Sequence, residues 1–185
     1  MDDAQVKRRI PVLGIVTLVV LPLILILLVA VPQVARPAIV AAGTGLLFDD
    51  FEFTATKAEA TDQIGSERAP TGSSYYIVDV QVTNKAKAVT FKFDPHVVAV
   101  APNSGQMLRH DQAAQTLLDS LVTALGSPVK TSLAPNESET YRLVFVGQQD
   151  LTNLNVSFNF GGNAGTFLDN VIYGKREVSV NVGRH

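Results

Sequence analysis

Hydrophobic positions along this chain follow three patterns in turn. From Val12 to Val31 they run unbroken, "VLGIVTLVVLPLILILLVAV", twenty residues without a charge. From Phe48 onward they alternate. "FEFTA" sets Phe51, Phe53 and Ala55 against Glu52 and Thr54, and "YIVDVQVT" sets Tyr76, Val78, Val80 and Val82 against Asp79 and Gln81. The same period recurs at Val89, Phe91 and Phe93, at Tyr141, Leu143 and Phe145, at Leu154, Val156, Phe158 and Phe160, and at Val178, Val180 and Val182. Successive side chains on a strand point to opposite faces, so these segments predict half-buried antiparallel strands of a sandwich or barrel. Turn-forming stretches separate them: "TNKAKA", "APNSGQ" and "APNES". Tyr75 to Phe93 thus reads as a core hairpin about a turn at Asn84 and Lys85.

The third pattern is helical. "DQAAQTLLDSLVTALGSP" carries Ala114, Leu117, Leu118, Leu121 and Leu125 at the spacing of one helix face, with Asp111 as N-cap, Gly126 as stop and Pro128 beyond. This stripe must be covered, either by the sandwich or by a partner, in which case Leu117 and Leu121 are the exposed anchors. Tyr75 and Tyr173 are further candidates for an interaction surface, because tyrosine is enriched at interface hot spots.

The unbroken run sets the domain boundaries. A helix of that length spans roughly 30 Å, the thickness of a bilayer's hydrocarbon core. Cleaved signals have apolar regions of about 7–15 residues, so 12–32 is expected to remain as a signal anchor. Cleavage near Gly43 would make the protein secreted instead. Lys7, Arg8 and Arg9 precede the span and only Arg36 follows closely, which keeps residues 1–11 in the cytoplasm. Residues 33–45 then form a juxtamembrane linker and 46–185 an extracytoplasmic domain. The expected partners are the lipid bilayer, through 12–32, and a protein of the cell envelope.

Charge and composition narrow the functions. Of 15 Lys+Arg and 17 Asp+Glu, 11 basic and 15 acidic residues fall after residue 36, which gives nucleic acid no basic surface to bind. With no cysteine there is no disulfide, thiolate metal site, cysteine nucleophile or lipidated cysteine.

The ordered run of "FEFTAT", the "Y-x-V-x-V-x-V-T-N-K" strand ending at Asn84, the "SGQML" hairpin and the "LAPNES" turn before "YRLVF" resembles the bacterial domain of unknown function 4352 family. The resemblance covers Phe48 to Phe160. It implies an immunoglobulin-like, telokin-like β-sandwich behind a lipoprotein signal or a membrane anchor, and no particular activity. Asn136 stands where that family usually has glycine; Asn tolerates a left-handed turn position. The helical span from Asp111 to Gly126 is a longer insert than the family's.

Candidate chemistry is sparse. His96, His110 and His185 lack ligand spacing, and "RHD" at Arg109–Asp111 reads as a helix cap beside a solvated ring. Asp49, Asp50 and Glu52 are too few oxygen donors for calcium without other loops. "GTGLLF" has no lysine and no following helix, so it is not a phosphate loop. Lys85, Lys87, Lys175 and Arg176 could form a small basic patch. No catalytic constellation, cofactor site or metal site emerges. The sequence reads as a non-catalytic envelope module for protein–protein interaction; the alternative is a sensor of a small ligand or ion.

Overall fold

The computed structural model describes residues 38–103, 105–126, 128–159 and 176–184. The expected transmembrane segment 12–32, residues 1–11 and Tyr173 lie outside them. No helix among the described residues is long and apolar enough to cross a membrane.

Two layers of strands face each other. One layer holds β1 (Ala38–Ala41), β8 (Val98–Pro102), β12 (Asn153–Phe158) and the first part of β13 (Arg176–Arg184). The other holds β2 (Leu46–Phe48), β3 (Phe51–Thr61), β6 (Ser73–Asn84), β11 (Ser138–Gln148) and β9 (Arg109–His110). β13 joins the two, because its last residues leave β12 and pair with Ala58–Ala60 of β3. Between the layers lies a core of Phe53, Val78, Val80, Leu143, Phe145, Val156, Phe158 and Val180 with their neighbours. Phe53 and Phe158 meet across it with ring centroids 5.3 Å apart.

Several expectations are corrected. The sheet is not wholly antiparallel: β13 pairs in parallel with both β1 and β3. β1 lies inside the expected linker 33–45, so the folded domain begins before residue 46. Tyr75 to Phe93 is not a hairpin. β6 pairs with β3 and β11, whereas β7 (Phe91–Lys92) pairs with β10 (Ser132–Leu133). Val89, expected inside, is 59% exposed. The segment through Gly105 to Leu108 is a crossover, since β8 pairs with β12 and β9 with β11.

Asn84 holds the re-routed chain. Its buried side chain donates to the carbonyls of Val89 at 2.8 Å and Leu133 at 3.0 Å and accepts from the Ala86 N–H at 2.9 Å. Alternation also shifts within β3, where a bulge between Ala55 and Lys57 moves the inward positions from Phe53 and Ala55 to Ala58. An extra residue in one strand changes which face the following side chains occupy. Asn136 takes a left-handed φ of 64°, as its place in the turn anticipated.

Helix α1 (Gln112–Ala124) packs on the outer face of the second layer. There Tyr75, Ile77 and Val144 make an apolar patch, joined by Ile64 of β4 (Gln63–Ile64), which pairs with β5 (Glu67–Arg68). Asp111 caps the helix as expected, its Oδ1 accepting from the Ala114 N–H at 3.1 Å. The buried face differs from the expected stripe. Ala114, Gln115 and Leu118 are buried, whereas Leu121 is 45% and Leu125 85% exposed. Leu117 is half-buried at the margin of the patch.

Candidate functional site

β11 lies between β6 and, on its other side, very little. β6 pairs with it along its whole length, but β9 covers only Phe145 and Val146. Past β9 the ladder is continued by a side chain. Gln115 Nε2 donates to the Arg142 carbonyl at 2.8 Å, and Gln115 Oε1 accepts from the buried Val144 N–H at 2.8 Å. The Asp111 N–H donates to the Val144 carbonyl at 3.0 Å. The start of α1 therefore stands in for an edge strand over Arg142 to Val144.

Beyond this point the edge opens into a cleft of about 470 Å³. Its floor is Glu139 to Leu143; Leu118, Asp119 and Val122 of α1 form one bank, and Phe93, Pro95 and residues 128–131 form the other. Phe93 stacks on Tyr141, with ring centroids 4.0 Å apart. Ligand sites are typically clefts of this size, largely apolar with a few convergent polar groups.

Those polar groups are identifiable. Tyr141 and His110 both line the cleft, and Tyr141 Oη and His110 Nε2 are buried without a hydrogen-bond partner among the described residues. Burial, with the Glu139 carboxylate adding to it, pushes the Tyr141 phenol up to about 12. Burial also holds the His110 imidazole below its ordinary value, because a charged ring would lose its hydration. The ring meets Phe145 edge-on at 5.6 Å. It is half-buried and disposed to stay neutral, not the solvated ring the sequence led us to expect.

Cations around the cleft are mostly engaged. Arg142 Nε contacts Asp79 Oδ1 at 3.1 Å and its terminal nitrogen contacts Glu59 Oε2 at 3.1 Å; Lys130 pairs with Glu137 at 3.1 Å. Glu59 also pairs with Lys57. A polar hollow elsewhere, between Asp62, Ser74, Asp150 and Arg184, is satisfied internally: Ser74 donates to Asp62 at 2.8 Å and Arg184 to Asp150 at 2.6 Å.

The residues singled out from sequence fall elsewhere. Tyr75 is no exposed anchor: it is 2% exposed beneath α1, and its hydroxyl donates to the Arg68 carbonyl at 3.3 Å. Leu117 and Leu121 do not line the cleft. Lys85 is paired with Glu52, which takes both out of the candidate basic and calcium clusters. His96 is exposed, its Nδ1 2.9 Å from Asp94 Oδ1. Gln115, Tyr141 and Arg142 escaped the sequence reading. One signal could have found Gln115: it is the polar member of the true buried face, Ala114, Gln115, Leu118 and Val122.

No protein-family model matches the chain, and no curated protein matches it in sequence. Solved structures do match. A conserved hypothetical protein from Bacillus anthracis is 16% identical, with a TM-score of 0.50 over 63% of this chain and 87% of that one. The secreted protein MPT63 from Mycobacterium tuberculosis is 13% identical, with a TM-score of 0.50 over 80% of this chain and 98% of that one. An uncharacterized β-sandwich protein from Clostridium difficile is 13% identical, with a TM-score of 0.46 over 79% and 94%. At such identities the likeness is one of fold, a mainly β sandwich with one helix.

Proposed function

We propose that this chain is a non-catalytic cell-envelope module, anchored by residues 12–32 with its N-terminus cytoplasmic, that binds another envelope protein through the cleft between α1 and β11. The domain would be an immunoglobulin-like sandwich of the kind seen in the domain of unknown function 4352 family. The observation that carries the reading is the cleft itself, a built, largely apolar recess on a strand edge left open by its neighbours. Its chemistry favours binding over catalysis. The Asp111 carboxylate is committed to capping α1 and not to orienting His110, whose ring packs beside the rings of Phe145 and His96. Uncharged twenty-residue spans and a basic N-terminal flank support the anchor and its orientation.

The test is co-purification of the full chain from its native membranes, wild type against Thr123→Arg, an exposed position on the helical bank. Envelope proteins recovered with the wild type should be lost with the variant while its melting temperature is kept. Equal recovery would move the binding surface elsewhere, and no recovery from either would remove the interaction reading. A mature N-terminus near Gly43 would replace the anchored form with a secreted one.

A further inference from the structure

The open edge of β11 specifies more than a hydrophobic contact. Main-chain groups along a strand point alternately to its two neighbours, N–H and C=O of one residue together in an antiparallel ladder. Arg142 C=O and Val144 N–H point away from β6, because Gln115 bonds both. The Arg142 N–H and both main-chain groups of Thr140 therefore point the same way, into the cleft. None of these three has a hydrogen-bond partner among the described residues. Exposed edges of this kind are ordinarily blunted by proline, a bulge, an inward charge or a covering element. Gln115 and β9 supply that cover from Arg142 onward, and it stops at Thr140.

We infer that this edge is a strand-addition site, at which an extended peptide segment of the partner pairs with Thr140 and Arg142; the inference rests on the interaction reading above. An extended segment fits the cleft on two counts. Its main chain supplies donors and acceptors at the spacing that Thr140 and Arg142 present, which a helix, bonded internally, does not. Its side chains point alternately to opposite faces, and the edge has an apolar recess on each: the Phe93–Tyr141 stack on one side, Leu118 and Val122 on the other. The buried Tyr141 Oη and His110 Nε2 add polar capacity that such an occupant can use. At about 3.3 Å per residue, the cleft floor from Glu139 to Leu143 accommodates about five residues. Charge sets a further preference. Arg142 and Lys130 are already paired, whereas Asp119 and Glu139 line the cleft outside any ion pair among the described residues, so a neutral or basic segment is favoured over an acidic one.

The test uses a display library of random heptapeptides, selected on the full chain in detergent micelles. Selected peptides should carry an apolar residue flanked by neutral or basic ones. Bound at saturation, they should slow amide exchange of Thr140 and Arg142 at least about tenfold. Methylating the peptide's alternate backbone nitrogens should weaken binding at least about tenfold, and Thr140→Pro, which removes a donor facing away from β6, should do the same. No enrichment, equal binding of the N-methylated peptides, or unchanged exchange at both amides would overturn the inference. The N-methylated peptides need no protein variant, so the result stands even if Thr140→Pro fails to fold. If peptides fail while co-purification remains sensitive to Thr123→Arg, strand addition falls and the interaction reading survives. If co-purification also fails, both fall.

Discussion

Gln115 donates from Nε2 to the main-chain carbonyl of Arg142 at 2.8 Å, so a helix side chain completes a β ladder. Its Oε1 accepts from Val144, whose N–H is buried. Gln115→Leu keeps the volume and removes both of these bonds, with the one that Nε2 also donates to Asp119 Oδ1 at 2.8 Å, leaving the Val144 donor and the Arg142 acceptor unsatisfied. We expect a loss of about 2–4 kcal/mol in urea unfolding, since each buried orphan costs about 1–3 kcal/mol. An unchanged unfolding midpoint would mean that α1 is not fixed to β11 in this way.

Asn84 offers a second test of polar satisfaction. Its Nδ2 faces two carbonyls, so Asn84→Asp would set a carboxylate against Val89 O and Leu133 O. The variant should lose about 3 kcal/mol or more at pH 7. Part of that loss should return near pH 4, where the carboxyl regains a proton and can donate one bond. Equal stability at the two pH values would contradict the assigned hydrogen bonds.

Strand positions were legible in the sequence because alternation is local: Phe53, Val78, Val80, Leu143 and Phe158 all face the core as their period requires. Asp111 and the turn at Asn136 were legible for the same reason. Pairing was not. β7 finds its partner β10 some forty residues later, and nothing in "VTFKF" distinguishes that partner from β6. The helix face was misjudged because the leucines outnumber the residues that pack. Tyr75, Ile77 and Val144 mark the docking patch on strand positions opposite the core, and the face that meets them includes Gln115 in place of a leucine. The cleft stayed hidden because it exists only where a helix, a strand edge and the β7–β10 pair converge.

Leu118 and Leu121 separate the true helix face from the expected one. Leu118→Ala empties a buried position and should cost about 2–4 kcal/mol. Leu121→Ser alters a half-exposed one and should cost less than about 1 kcal/mol. Thermal unfolding of the two variants checks the order; the reverse order would mean that α1 is rotated about its axis.

The titrating groups of the cleft predict stability losses on two sides of neutrality. His110 titrates below its ordinary 6.5 when folded. The unfolded chain therefore takes up the proton first, and stability falls as pH drops from about 6.5 through the folded value. His110→Gln should flatten this limb of the urea-midpoint profile. Asp94, bonded by the His96 N–H, and Glu137, bonded by the Ala134 N–H, are held below their ordinary 3.8 and 4.5, so their losses lie further into acid. Tyr141 keeps its proton to about 12 when folded against 10.0 when unfolded. Stability should consequently fall as pH rises between those values; Tyr75 and Tyr76, also raised by burial, add to that fall, and Tyr141→Phe should reduce it. At pH 7 the same variant should be at least as stable as the wild type, because the hydroxyl it deletes has no partner.

Photo-crosslinking tests the central claim, that the cleft between α1 and β11 is the binding surface, most directly. A photoreactive residue placed at Thr140, on the open edge, is compared in living cells with one at Lys87, an exposed position that does not line the cleft. The account predicts a discrete protein adduct from position 140 and none from position 87. Adducts of equal yield from both positions, or an adduct from position 87 alone, would contradict it.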